Sequence, residues 1–220
     1  GLVGALVVGV AFAKGLCFAT GLPFIGVNHL EGHLYANRYV DPTLEPPFVA
    51  LLVSGGHTML VHVRGWGDYE VLGSTLDDAV GEAFDKVAKA LELGYPGGPV
   101  LSRYAKDGDA KAIAFPRAMM HSGDLRFSLS GLKTAVITYI NEQNKAGMSI
   151  DIPDLAASFT VAVVDVLVAK SLDACKQTGS RVLCIGGGVA ANPDLREALA
   201  ASLGKRGIRV IMPELSDCAD

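Results

Sequence analysis

Two histidines lie four residues apart in the segment NHLEGH, residues 28–33. On a helix, residues i and i+4 lie on the same face, so the imidazoles of His29 and His33 could chelate one metal ion. A zincin would have the order HExxH, whereas Glu31 lies about 200° around the helix from His29 and points away from such an ion. The spacing leaves two interpretations, a metal site or a pair of packing residues, and argues against a metalloprotease.

Two glycine-rich turns could bind an anion. The turn VSGGH, residues 53–57, joins two strand-like segments, and its N–H groups could form a nest for a phosphate. Taken alone, an ordinary hairpin turn is the commoner explanation. The turn GGGVAAN, residues 186–192, leaves a strand and opens a helix, whose N-terminus attracts phosphate. Its alternative is a tight turn in which Asn192 caps a helix that begins at Pro193.

Charged residues cluster in two places without an obvious catalytic arrangement. The polar face of one predicted helix consists of Asp78, Glu82, Asp85 and Lys89. Opposite charges four residues apart stabilise a solvated helix surface, so these residues need no function. Residues 101–133 contain six basic and three acidic residues, which allows a nucleic-acid interface or a solvated loop region. No serine or cysteine belongs to a recognisable His-Asp relay, so nothing predicts a covalent nucleophile.

The composition predicts one or two globular domains. Of the 220 residues 50% are hydrophobic, and the net charge of −4 argues against binding through bulk positive charge. Four cysteines without a CxxC pair indicate free thiols in a reducing compartment, so we expect a cytoplasmic protein, or an organellar one in a eukaryote. Lys14 divides residues 1–27 into apolar stretches too short to cross a bilayer, so we expect a buried helix and no membrane association.

The order of elements predicts an α/β fold. A helix, a strand and a second helix capped by Asn28 are expected at residues 2–19, 23–27 and 28–39. The prolines of residues 41–47 predict a boundary between two domains, residues 1–46 and 47–220. Three strands joined by short turns should then form an antiparallel meander, at residues 48–54, 58–63 and 69–72.

Helices and strands alternate after the meander. Helices are expected at residues 76–93, 129–143 and 154–176 and from Pro193, and strands at residues 181–185 and 208–212. Ser74 and Asp77 have the spacing of a capping box for the first of these helices. This order is that of a ribonuclease-H-like unit, and residues 1–46 match the end of another. By analogy, two such lobes around a cleft form the actin-like ATPase (ASKHA) fold, with the first lobe incomplete in this chain.

The chain resembles one family along its whole length. The matching segments are GLVGALVVG, VNHLEGHLYAN, LLVSGGHT, DDAVGEAFDKVAK, YPGGP, FSLSGLKTAV, IGGGVAANPDLR and the final CAD. Their succession is similar to that of the universal tRNA threonylcarbamoyladenosine transferases, called TsaD in bacteria and formerly described as O-sialoglycoprotein endopeptidases. Any one segment would be modest support, but the ordered set is specific.

The resemblance implies a set of site residues. His29, His33 and Asp220 match the metal ligands of the family, with Fe²⁺ the expected ion and Zn²⁺ the alternative. The residues that match substrate-binding positions are Leu52, Val53, Ser54, Gly55, Gly56, Asp85, Gly98 and Asn192. For Asp85 the implied role, holding the nucleotide part of the substrate, replaces the solvated-surface interpretation.

The resemblance also implies a reaction. The family transfers the threonylcarbamoyl group from threonylcarbamoyl-AMP to N6 of adenosine 37 in tRNAs that read codons beginning with A. The implied partners are tRNA, homologues of TsaB and TsaE, and a second copy of the chain. Two alternatives within the actin-like fold are an ATPase or kinase, and a non-catalytic scaffold subunit of the same tRNA-modifying complex.

Two departures from the family pattern qualify these expectations. Family members begin with a further meander that carries a first phosphate loop, so we expect residues 1–220 alone to be poorly active. Archaeal and eukaryotic members have a tyrosine where this chain has Leu52, which is typical of the bacterial or organellar branch.

Overall fold

A five-stranded mixed sheet with the order β3-β2-β1-β4-β5 forms the centre of the fold. The computed structural model describes residues 3–218. The strands are β1 Phe48–Val53, β2 Thr58–Gly65, β3 Asp68–Ser74, β4 Val182–Gly186 and β5 Arg209–Ile211. The first three pair antiparallel, whereas β4 runs parallel to β1 and β5 runs parallel to β4. The predicted meander and the two later strands are therefore confirmed.

Helices cover both faces of this sheet. Within residues 3–218 they are α1 Val3–Thr20, α2 His29–Tyr35, α3 Asn37–Val40, α4 Val80–Ala90, α5 Gly97–Ala105, α6 Ser130–Lys145, α7 Ile152–Thr178 and α8 Pro193–Gly204. The helix predicted at residues 28–39 is interrupted at Ala36, and Asn28 caps it as expected by accepting a hydrogen bond from Leu30 N. The sequence did not predict α5, because its opening glycines and proline are typical of a loop.

The central strand β1 has all six residues buried, because both of its faces are covered. Alternate side chains of a strand point to opposite faces. Val49, Leu51 and Val53 accordingly join the larger core with α4 to α8. Phe48 and Leu52 point to the other face, into the core that includes Leu34 of α2. The strand therefore fixes α2 on the opposite side of the sheet from α4.

The helix α7 is the long core helix of the larger layer. It begins after Asp151, whose side chain caps it, and ends at Gly179 in the left-handed conformation. By length and composition it could cross a membrane, but 67% of its most apolar window is buried inside the protein. Burial thus accounts for its apolar sequence.

The helix α1 confirms the prediction of a helix near residues 2–19. The prediction that this helix is buried is wrong, because its apolar side chains are exposed in the structure of residues 3–218. Val8, Phe12 and Phe18 expose 70%, 73% and 93% of their surface. An apolar sequence around the whole helix is typical of an element that is covered on all sides. The described residues do not supply that cover.

The strand predicted at residues 23–27 is wrong, because these residues form no ladder with any described strand. The apolar run FIGV has no regular secondary structure and is exposed, and strand propensity alone gives no hydrogen-bonding partner. The proposed division into residues 1–46 and 47–220 stays a prediction. Leu34 and Leu44, from the first of these ranges, pack into the core beneath β1.

The capping box predicted for residues 76–93 is also wrong. Helix α4 begins at Val80, and Thr58 of β2 caps it by accepting a hydrogen bond from Val80 N at 2.9 Å. Asp77 instead caps α6 across the fold. Its Oδ1 accepts from Leu129 N at 2.8 Å and its Oδ2 from the hydroxyls of Ser128 and Ser130 at 2.6 and 2.7 Å.

This cap predicts a pH-dependent stability. Burial would raise the pKa of Asp77, but the hydrogen bonds from Ser128, Ser130 and Leu129 hold it at about 2, below the usual 3.8. The folded state therefore gains stability above about pH 4 and loses it as the pH falls towards 2. We predict that Asp77→Asn lowers the urea midpoint at pH 7, and that its difference from the unchanged protein shrinks between about pH 4 and 2.

The exposed Asp107→Asn is the matched control, and its urea midpoint should follow the unchanged protein across this range. A difference for Asp77→Asn that stays constant down to pH 2 would contradict the role of the carboxylate.

Candidate functional site

The two histidines face each other on α2. Their ring centroids are 4.7 Å apart at an interplanar angle of 72°, and His33 is buried while His29 is half-buried. This separation allows one nitrogen of each ring to approach a common ion at about 2 Å, the usual length of a metal–imidazole bond. The geometry of the pair therefore fits a divalent metal.

Glu31 faces a different part of the structure. The pKa of the Tyr69 hydroxyl on β3 is raised. Burial is the largest cause, and the neighbouring carboxylate of Glu31 is the second. The carboxylate thus lies beside β3, in agreement with its predicted direction away from a metal held by His29 and His33.

The histidine helix rests directly on the end of β4. A Cβ at Gly186 would lie 3.0 Å from the carbonyl oxygen of His33 and 3.1 Å from its Cβ. Only a glycine leaves enough room for this approach without a shift of a few tenths of an ångström. The turn that follows β4 therefore begins against His33.

The turn after β1 is held by Ser54. Its N–H donates to His57 O at 2.8 Å, and its hydroxyl accepts from the N–H groups of Gly56 and His57 at 3.3 and 3.1 Å. Gly55 and Gly56 are exposed, whereas the side chains of the preceding Leu52 and Val53 are buried in the two cores. A ligand bound at this turn would contact its backbone. The hydroxyl of Ser54 stabilises the conformation of the turn.

Two further glycines enclose this turn. A Cβ at Gly81, in the first turn of α4, would lie 2.8 Å from Gly55 Cα, and Gly81 N donates to Ser54 O at 3.2 Å. On the other side, a Cβ at Gly187 would lie within 2.4 Å of Val53 O. The turns after β1 and β4 are therefore in direct backbone contact, and the N-terminus of α4 meets them.

Asp85 lies one helical turn beyond Gly81 on α4. Its Oδ1 accepts a hydrogen bond from Gly97 N at 2.7 Å, which ties the start of α5 to α4. Asp85 also lines an open cavity of about 520 Å³ together with Lys89 and Tyr95. Gly98 is half-buried and has no atom within 4 Å of its missing Cβ, so its backbone is open to close approach.

Asn192 caps α8, as the simpler interpretation of the sequence predicts. Its Oδ1 accepts from Leu195 N at 3.0 Å, and its Nδ2 donates to the hydroxyl of Ser102 on α5 at 2.9 Å. The amide therefore links the turn after β4 with the helix that begins beside Asp85.

The third expected metal ligand, Asp220, lies outside residues 3–218. Within that range no third histidine, cysteine or carboxylate joins the two histidines in a metal-binding cluster. Arg196 brings the end of the described chain close to the turn after β4, because it donates to Ala190 O at 3.1 Å and to Pro213 O at 3.0 Å. The metal ligands and substrate contacts of the resemblance stay predictions.

Sequence reasoning missed the residues that assemble these parts. Asn37, Gly81 and Ser102 were not singled out, and Gly186 and Gly187 were noted for anion binding but not as packing positions. A glycine in the first turn of an amphipathic helix, as at Gly81, is a signal for close approach that could have been used. The partners of Asn37 and Ser102 are distant in sequence and left no local signal.

The meander followed by two crossover strands is the architecture of a ribonuclease-H-like lobe of the actin-like ATPase fold. Among solved structures, component A of the (R)-2-hydroxyglutaryl-CoA dehydratase of Acidaminococcus fermentans has a TM-score of 0.54 and 16% identity. The match covers 90% of this chain and 66% of that one, and it supports the fold.

A sequence model of the TsaD family, described as tRNA N6-adenosine threonylcarbamoyltransferase, matches residues 1–220. Relatives of that name from Clostridium botulinum strain 657 and Clostridium perfringens strain SM101 are 52% and 50% identical over 220 residues. The chain spans 65% of the length of each of these relatives. It belongs to the TsaD family.

The contact between the two turns gives a test with neighbouring glycines. Gly187 has φ +92° and no room for a Cβ, whereas Gly188 has open space around it. We predict that Gly187→Ala lowers the free energy of unfolding by at least about 2 kcal/mol, from backbone strain and overpacking. Gly188→Ala should change it by less than about 0.5 kcal/mol. Urea denaturation followed by circular dichroism measures both, and equal midpoints would contradict the contact.

Proposed function

We propose that this protein transfers the threonylcarbamoyl group from threonylcarbamoyl-AMP to N6 of adenosine 37 in tRNAs that read codons beginning with A. One observation carries the proposal beyond family membership. Gly186 touches the histidine helix at His33, and the adjoining Gly187 touches the turn at Val53. Three of the matched motifs therefore meet at one point of the fold, although they are far apart in sequence.

The backbone at this point suits a phosphate. Gly55 and Gly56 are exposed, and the N-terminus of the 11-residue helix α4 lies against their turn. Backbone N–H groups of a glycine-rich turn and the positive end of a helix dipole attract an anion. We assign this position to the phosphate of threonylcarbamoyl-AMP, with Asp85 accepting hydrogen bonds from the ribose hydroxyls.

His29 and His33 would hold one divalent ion, Fe²⁺ or Zn²⁺, with Asp220 as a third ligand. When bound, such an ion supplies a Lewis acid for carbonyl, carboxylate or phosphate oxygens. The role of the two imidazoles in this proposal is to fix the ion next to the end of β4, where His33 contacts Gly186.

The transfer needs no covalent enzyme intermediate. The N6 amine of the adenosine attacks the carbamoyl carbon, so a C–N bond forms. The bond between that carbon and the phosphate oxygen breaks, AMP leaves with the electron pair, and the amine releases a proton. The glycine-rich turns lower the barrier by holding the phosphate while its charge develops.

Exposed cations in the last turn of α5 and just after it favour tRNA as the acceptor. Of the basic residues between 101 and 133, Arg117 and Arg126 pair with carboxylates at 3.0 and 2.7 Å and Lys133 pairs with Asp78. Arg103, Lys106 and Lys111 are exposed. These three can contact RNA phosphates. Homologues of TsaB and TsaE, a second copy of the chain and a cytoplasmic location belong to the same proposal.

The paired histidines favour the transferase over an ATPase, a kinase or a scaffold subunit of the same fold. A scaffold has no need of a chelating pair, and a kinase would phosphorylate a small substrate without tRNA.

The metal pair is tested by His29→Ala combined with His33→Ala. With the protein as its gene encodes it, homologues of TsaB and TsaE, threonylcarbamoyl-AMP and unmodified tRNA, we predict that the product nucleoside falls at least about 100-fold. Bound metal should also be lost. Nucleoside mass spectrometry measures the product, and elemental analysis measures the metal.

The control is His121→Ala, which removes an exposed imidazole from a distant loop and should retain both metal and product. Full activity in the double variant would refute the metal role. Absence of product from the unchanged, metal-loaded protein would refute the reaction.

The nucleotide contact is tested by two changes at Asp85. Asn preserves the acceptor for Gly97 N but removes the charge and one acceptor oxygen, so the fold should persist. We predict that Asp85→Asn weakens AMP binding about 10-fold with an unchanged urea midpoint, and that Asp85→Ala also lowers the midpoint. Isothermal titration calorimetry measures the affinity. Glu142→Gln, which removes an exposed carboxylate from α6, should bind AMP normally, and an equal loss there would contradict a specific role for Asp85.

A further inference from the structure

Asn37 is a completely buried amide that connects the histidine helix with the sheet. Its Nδ2 donates to His33 O at 3.2 Å, to Leu34 O at 3.4 Å and to Ile185 O at 3.1 Å. The two N–H groups of the amide thus donate to three carbonyl oxygens, two on α2 and one on β4. Residues 37 and 185 are 148 positions apart in the chain.

Gly186 completes the same contact. It directly follows Ile185, and its α-carbon lies so near His33 that an added Cβ would be 3.0 Å from the His33 carbonyl oxygen. We call Asn37, His33, Ile185 and Gly186 the Asn37–Gly186 joint. These residues connect α2 directly with the residue pair from which the turn after β4 begins.

Breaking the hydrogen bonds of this joint would destabilise the folded protein. Removal of the amide would leave buried carbonyl oxygens without that donor, and buried polar groups are rarely left unpaired. Leu34 packs into the core beneath β1, and the other attachments of this segment lie farther from His33. Tyr35 stacks on Trp66 at 4.4 Å, and Asp41 pairs with Arg209 of β5 at 2.5 Å. Besides the packing of Leu34, Asn37 and Gly186 therefore provide the contacts that fix His33 against β4.

We propose that Asn37 is a positioning residue that couples metal binding at His29 and His33 to nucleotide binding at the two contacting turns after β1 and β4. The inference rests on the proposed function and adds a physical connection between its two ligands. A metal that fixes α2 would also fix Gly186 and, through the contact of Gly187 with Val53, the turn after β1, so less ordering would remain for phosphate binding. The reverse holds for a nucleotide, because coupling between two binding sites is reciprocal.

The experiment measures Co²⁺ affinity with and without saturating AMP, using the protein as its gene encodes it. In the unchanged protein we expect AMP to raise the Co²⁺ affinity at least about fivefold. In Asn37→Ala the factor should fall below about twofold, and the affinity for Co²⁺ alone should fall about 10-fold, as for other residues that orient metal ligands. The Co²⁺ absorption spectrum should change because the two imidazoles are held less rigidly.

Gly186→Ala is the second variant. It removes no hydrogen bond but presses a methyl group against His33, so it should also reduce the coupling, and it carries the test if Asn37→Ala does not fold. Arg209→Met is the matched control, because it breaks an attachment of the same segment to β5 without touching His33 or Ile185. The control should retain the spectrum and the coupling factor.

The outcomes separate the inference from the proposed function. If the unchanged protein binds both Co²⁺ and AMP but shows no coupling, or if both joint variants keep the full factor and spectrum, the inference is wrong and the proposed function stands. If Co²⁺ binding is unaffected by His29→Ala with His33→Ala, the metal site itself is wrong, and the inference falls with it.

Discussion

The candidate site depends on one constraint, the close approach of three backbone segments at Gly186 and Gly187. The parallel pairing of Leu52 with Gly186 brings the ends of β1 and β4 side by side, so the turns that follow leave the same edge of the sheet. Ligands of open α/β sheets bind at this edge. A side chain at either glycine would separate the turns from each other or from His33. The three motifs can act on one ligand only because these two positions are glycines.

The sequence predicted those parts of the candidate site that depend on residues close together in the chain. Histidines at i and i+4 and an N-cap at Asn28 are properties of one short segment, and both are found in the structure. The meander was predictable because its turns are too short for a crossover. The cap of α6 could not be predicted from the sequence, because Asp77 lies 51 positions from Ser128. The same holds for Asn37 and Ile185, whose bond depends on the pairing of β1 with β4.

The hydrophobic pattern predicted where helices form, but it did not predict which of them are buried. Both α1 and α7 are apolar, yet α7 is the centre of the larger core and α1 is largely exposed within the described residues. The run FIGV failed as a strand for a related reason. A strand needs a neighbour to accept its hydrogen bonds, and its own sequence does not specify one. Partners of this kind are decided by the tertiary structure, which a single sequence does not display.

The surroundings of the cysteines agree with the proposed transfer, which relies on position and charge and not on a covalent nucleophile. The structure has free cysteines at Cys17, Cys175, Cys184 and Cys218, as the absence of a CxxC pair predicted. Burial raises the pKa of Cys175 to about 11 and that of Cys184 to about 12, and it also raises the pKa of Cys218. A thiol nucleophile must be deprotonated to attack, and these raised pKa values favour the protonated thiol at neutral pH. The hydroxyl of Ser54, next to the glycines, accepts two backbone hydrogen bonds that shape its turn. The groups that face the proposed phosphate are backbone N–H groups and a helix terminus, which stabilise charge without forming a covalent bond.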